Sequence, residues 1–200
     1  MKNTLILLSL SAILFSTTLT QAQTADKSKT AKKKKQIDLG IKAGINFSQY
    51  AASPLNLPAT LHIGVFSAIH KGKSGLQFEA LFNRLYGSPF YSPVDKSIWL
   101  GIPVLYEYRI LKHLMIQAGP QLTFPLTNPS QDNNPAQQPY LSGVIGLEIR
   151  QWSGIILGAR YIFGFTDSYS GTYYDALGNN IGKFGDKLNT FQIYLGYNFR

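Results

Sequence analysis

The chain has 200 residues, a formal net charge of +9 and no cysteine. The length suits one domain once processing segments are set aside, and the absence of cysteine excludes a disulfide framework and a thiolate zinc site. The charge is local: six lysines fall within Lys27–Lys35, whereas from Gln36 onward twelve Lys and Arg face nine Asp and Glu.

Residues 1–22 read as a cleaved signal peptide, with Lys2, the apolar run Leu5–Phe15, and Thr20 and Ala22 before the cleavage point. That run is shorter than the ~20 residues a spanning helix needs. Residues 23–36 are polar, lysine-rich and without aromatics, and are expected to form a disordered periplasmic tail. The tail is a solvated leader or a contact for an anionic surface. Its basic run has no aromatic interleaving, so no nucleic-acid partner is expected.

Residues 37–200 carry a repeated pattern of eight candidate strands: Ile37–Ser48, Thr60–His70, Gly75–Tyr86, Ser97–Arg109, His113–Pro125, Tyr140–Arg150, Gly154–Phe165 and Leu188–Phe199. Each reaches the ~9–11 residues of a tilted membrane strand. Long connections (Gln49–Ala59, Gly87–Lys96, Leu126–Pro139, Thr166–Lys187) alternate with the tight turns Lys71–Ser74, Ile110–Lys112 and Gln151–Ser153. This is the plan of an all-β, eight-stranded antiparallel up-and-down transmembrane barrel, with both termini on the short-turn, periplasmic side of a bacterial outer membrane.

The sign of the alternation separates this plan from a soluble barrel. In the first segment Ile37, Leu39, Ile41, Ala43, Ile45 and Phe47 point one way, and Asp38, Gly40, Lys42, Gly44, Asn46 and Ser48 the other. In the last, Phe191, Ile193, Leu195, Tyr197 and Phe199 oppose Thr190, Gln192, Tyr194, Gly196 and Asn198. An apolar exterior around a polar interior is what lipid requires. On this register Leu195 faces lipid, and Gln192, facing the lumen, is expected to accept Arg at less cost than Leu195.

The charges Asp38, Lys42, Glu79, Glu107, Arg109, Glu148, Arg150 and Arg160 all point inward, four of each sign, so a paired lumen network is expected. A proton or ion path is the alternative reading of the same residues. Inward glycines make room for larger neighbours in a lumen that side chains fill. Aromatics gather near both ends, among them Trp99, Phe165 and Phe191 at the long-loop end and Trp152, Tyr197 and Phe199 at the other. Arg84 points outward near a strand end, where it can reach lipid phosphates. Pro103 and Pro120 interrupt strands without a free edge, so each is expected to mark a bulge.

The segments LGIKAGINFS (Leu39–Ser48), LGIPVLYEYR (Leu100–Arg109), IQAGPQL (Ile116–Leu122) and LGYNFR (Leu195–Arg200), in their order and spacing, resemble the PorT-like family of outer-membrane β-barrel domains. The resemblance implies assembly by the barrel-insertion machinery, with Tyr197 and Phe199 as the C-terminal insertion signal, although this chain ends one residue past the aromatic. It also implies a possible secretion-system partner, since the family's namesake acts in type IX secretion and gliding.

No catalytic site is expected. His62, His70 and His113 lie at different heights, without a Ser and carboxylate triad or a metal pair. No glycine-rich phosphate loop appears, and no cofactor is expected. The sequence therefore points to a non-enzymatic barrel with a structural, adhesive or secretion-accessory role, its partners being outer-membrane lipid and a cell-surface or secretion protein. Tyr169, Tyr173 and Tyr174 in the longest connection are candidates for recognition. The alternatives are a lipid- or glycan-modifying outer-membrane enzyme and a narrow channel.

Overall fold

The computed structural model describes residues 35–51, 58–86, 96–127, 136–151, 153–174 and 180–199. The signal segment 1–22, nearly all of the lysine tail, Trp152 and Arg200 lie outside them. Eleven strands follow in order: β1 Gln36–Tyr50, β2 Thr60–Lys71, β3 Ser74–Tyr86, β4 Lys96–Arg109, β5 Leu114–Pro125, β6 Ala136–Gln137, β7 Tyr140–Arg150, β8 Ile155–Gly164, β9 Tyr169–Tyr174, β10 Asn180–Asp186 and β11 Leu188–Phe199.

Eight of them close into an antiparallel barrel in the order β1-β11-β8-β7-β5-β4-β3-β2. The seam between the first and last strands is paired from Leu39↔Phe199 to Tyr50↔Leu188, so no edge is left with unpaired N–H and C=O groups. At the short-turn end, Gly72 and Gly154 take the left-handed φ of 71° and 85° that tight turns need.

Period-two alternation runs through the barrel strands with the apolar side outward. Leu195 is 61% exposed, Leu61 67% and Ile63 61%, whereas Lys42 and Arg160 are 1% exposed and Glu107 and Glu148 fully buried. A soluble core has the opposite distribution. Inward glycines sit under large neighbours: a Cβ at Gly158 would fall on the Tyr194 ring, and one at Gly40 on Phe66.

Three expectations are corrected. Pro103 and Pro120 mark no bulge. The β3–β4 register passes from Phe78↔Val104 to Leu81↔Gly101, and the β4–β5 register from Pro103↔Gln121 to Tyr106↔Ala118, without a shift. Successive strand N–H groups point to opposite neighbours, so a proline opens one ladder and spares the other. Pro103 keeps its pairing with β5, and Pro120 pairs with Gly143 of β7. Trp99 does not belong to an outer aromatic belt. Its neighbours in phase, Ser97 and Gly101, face inward, and the indole is 3% exposed inside the barrel. The connections Leu126–Pro139 and Thr166–Lys187, read as loops, contain a second three-stranded sheet in the order β10-β9-β6.

Candidate functional site

The lumen is filled by one hydrogen-bonded web that begins at the short-turn end. Arg150, the last residue of β7, donates to Glu107 at 2.7 Å and Gln77 at 2.8 Å, and approaches Asp38 at 3.4 Å and Glu148 at 2.5 Å. His70 lies between two carboxylates, with Nε2 2.6 Å from Glu107 and Nδ1 3.2 Å from Asp38, the latter off-axis for a hydrogen bond. Gln117 donates to Glu107 at 2.6 Å and to Glu148 at 2.9 Å, joining this layer to the next.

Lys42 is the centre of the second layer. Its ammonium lies 2.7 Å from Glu148 and 2.9 Å from Glu79, and 4.7–4.8 Å from the Tyr194 and Phe66 ring centres. Tyr194 donates its hydroxyl to Glu148 at 2.9 Å. Above it, Arg160 pairs with Glu79 at 2.8 Å and donates to Gln192, which in turn donates to Asn46 at 2.7 Å. Fully buried charges persist only when paired and hydrogen-bonded, and the alternation that turns hydrocarbon outward brings these groups together.

Seven of the eight charges named from the sequence, Asp38, Lys42, Glu79, Glu107, Glu148, Arg150 and Arg160, join the web. Arg109 does not. It is half-buried at the mouth, in a pocket of about 290 Å³ with Lys112, His113 and Gln36, and pairs with no described acid. Nothing in the sequence singles out His70, Gln77, Gln117, Gln192 and Tyr194 as members beyond their inward phase, although Gln77 precedes Glu79 by two residues.

Toward the long-loop end the interior changes character. Ser48 and Thr190 share a 2.9 Å hydrogen bond, and above them Tyr50, Leu85, Trp99, Tyr140 and Leu188 form one buried cluster. Trp99 and Tyr140 meet edge-to-face at 5.7 Å, a favoured aromatic geometry. This apolar layer caps the polar web.

Beyond it, β9 and β10 pair from Tyr169↔Asp186 to Tyr174↔Asn180, with an irregularity at Asn180/Gly182. β6 adds to β9 through Ala136↔Ser170 and Gln137↔Tyr169. Ser168 and Gln138 tie the base of this sheet together: the Ser168 amide donates to Asp186 O at 2.9 Å, and the Gln138 amide to Ser168 O at 3.2 Å. Tyr169, Tyr173 and Tyr174 thus stand on β9, and their side chains lie outside the described residues. Tyr197 and Phe199 face outward at the other end, their rings 5.7 Å apart.

The histidines are dispersed. His62 is buried edge-on to Tyr194 at 6.3 Å, and His113 Nδ1 lies 3.0 Å from the Arg150 carbonyl. Among the described residues no group of His, Asp and Glu has the arrangement of a metal site.

This architecture defines a closed eight-stranded barrel of the outer-membrane kind, and solved structures share it. Neisserial surface protein A matches with a TM-score of 0.50 at 10% identity, over 83% of this chain and 99% of that one. Ail, the attachment invasion locus protein of Yersinia pestis, matches with a TM-score of 0.50 at 12% identity, over 82% and 97%. No family model matches the chain, and no curated protein sequence does.

Proposed function

We propose that the protein is an integral outer-membrane barrel, non-enzymatic and plugged by its own side chains, that holds the β6–β9–β10 sheet outside the cell for contact with a surface protein. The observation that carries this reading is the division of the molecule. The lumen is occupied by paired charges under an apolar cap, while the longest connection folds into a sheet that closing the barrel does not need. Short turns at the opposite end support a reading in which that sheet is outside and both chain ends are in the periplasm. The adhesive role gains support from Ail, whose name describes attachment and invasion.

The PorT-like resemblance supports a second reading, a secretion-accessory role in which the same surface meets a type IX-like component. Both readings predict that replacing residues 171–182 with a short Gly/Ser linker leaves the barrel assembled. Assembly is read as faster migration of unboiled than boiled protein on a denaturing gel. In crosslinked cells the wild-type chain should capture a surface or secretion protein that the linker variant loses. Capture that survives the replacement would remove the sheet as the contact, and partition of the wild-type protein into the soluble periplasm would overturn the membrane placement.

A further inference from the structure

The outer wall of the barrel carries a charged residue, Arg84, that the lumen web does not account for. Among the barrel-strand residues whose side chains are described, Arg84 is the one charged group on the outward face apart from Lys71, which ends β2 at a tight turn. It stands near the long-loop end of β3, opposite Ile98 of β4, and no described residue pairs with it. Against hydrocarbon, an unpartnered guanidinium is costly unless an anion meets it.

Arg84 also stands on a groove. A depression of about 970 Å³ runs down the wall from Arg84 and Thr127, between Ile45, Leu61, Ile63, Phe82 and Ile98. Its floor lies at Ala43, whose small outward side chain recesses the surface beside the Gly44 backbone, and Leu195, the cross-strand partner of Ala43, also lines it. At the upper end the Thr127 hydroxyl oxygen accepts the Ile98 amide at 2.9 Å, so its proton remains to be donated. Two donors thus stand over an apolar trough.

We infer that this groove is a site for one phosphate-bearing lipid of the outer leaflet, with an acyl chain lying along Ala43, Ile63 and Phe82 and the headgroup phosphate held by Arg84 and Thr127. Guanidinium binds phosphate with two parallel hydrogen bonds, so charge complementarity selects the occupant. A second outward groove of about 430 Å³, floored by Ala118 and Ala159, is lined on its outer side by apolar and aromatic groups alone. It offers a phosphate headgroup no cation on its outer side and serves as the internal control.

The site presupposes the membrane placement, and the test separates the two. Full-length barrel in detergent, its heat-modifiable migration confirmed, is titrated in native mass spectrometry with phosphatidylglycerol and, separately, with a phosphate-free diglucosyl diacylglycerol. The wild type should retain one phosphatidylglycerol at least tenfold more tightly than the glycolipid. Arg84→Leu should abolish that difference, Arg84→Lys should keep part of it, and Ala43→Phe should weaken phosphatidylglycerol retention by filling the floor. Millimolar inorganic phosphate should not displace the lipid. Equal retention of the two lipids by wild type, an undiminished preference in Arg84→Leu, or displacement by free phosphate would each overturn the site while leaving an intact barrel. Loss of heat-modifiable migration in the wild type would overturn the membrane reading, and this site with it.

Discussion

Lys42 shows how much rests on single residues in a lumen this full. Its ammonium faces Glu79 and Glu148 at once and lies against two aromatic rings, so Lys42→Met would leave two buried carboxylates short of a cation. Breaking a buried pair from one side costs about 3–5 kcal/mol, to be read from urea titrations of folding into lipid vesicles. A loss under ~1 kcal/mol would mean that water replaces the ammonium. Outward residues follow a different rule. Leu195 pairs with Ala43 and Leu157 at mid-height, and Ile37 lies at the short-turn end of β1. Leu195→Arg should therefore cost ~2–4 kcal/mol and Ile37→Arg ~0–1 kcal/mol, by the depth dependence of lipid-facing charge. Equal costs would show that the wall does not face a bilayer. Gln192, expected from its phase to accept Arg at less cost, receives the Arg160 guanidinium and donates to Asn46. A second cation there meets the first, and phase alone carried no warning of it.

At the scale of elements, alternation made the barrel legible. Tyr140–Arg150 and Leu188–Phe199 have the bounds read from the sequence, and the other barrel strands differ by one or two residues at an end. Phase decides which side of the wall a residue occupies, and therefore which charges enter the lumen. It does not say which inward charges find partners: Arg109, in phase with Glu107, lies at the mouth and outside the web. The β9–β10 hairpin escaped notice because YSGTYY and NIGKFGD are glycine-bearing and lack alternating hydrophobicity. Its ladder is fixed by continuation of the barrel hairpin beneath, which a local window does not contain. The last strand allows a test of its own. Phe199 is paired with Leu39 and faces outward beside Tyr197. If the insertion machinery reads these aromatics, Phe199→Ala should lower barrel yield in cells several-fold while leaving folding into vesicles nearly unchanged. Equal losses in both would reduce Phe199 to lipid packing.

At the scale of the whole molecule, two barriers of different chemistry lie in series along the barrel axis. Ions entering from the short-turn end meet guanidinium, ammonium and carboxylate groups already engaged with one another, from Arg150 through Lys42 to Arg160. To pass, an ion must displace a partner, at the cost of breaking a buried pair. From the long-loop end the first obstacle is the layer of Tyr50, Leu85, Trp99, Tyr140 and Leu188, whose few polar atoms do not replace an ion's shell of water. Eight strands enclose an interior that side chains can fill, and on the proposed reading an ion meets both barriers. The wild-type protein in planar bilayers should give no resolved conductance steps. Trp99→Gly, which opens the apolar layer alone, should remain silent because the paired web is intact below it. Steps in the wild type would favour the channel reading. Silence in the wild type with steps in Trp99→Gly would make the apolar layer the sole gate, and the paired charges beneath it the lining of a path.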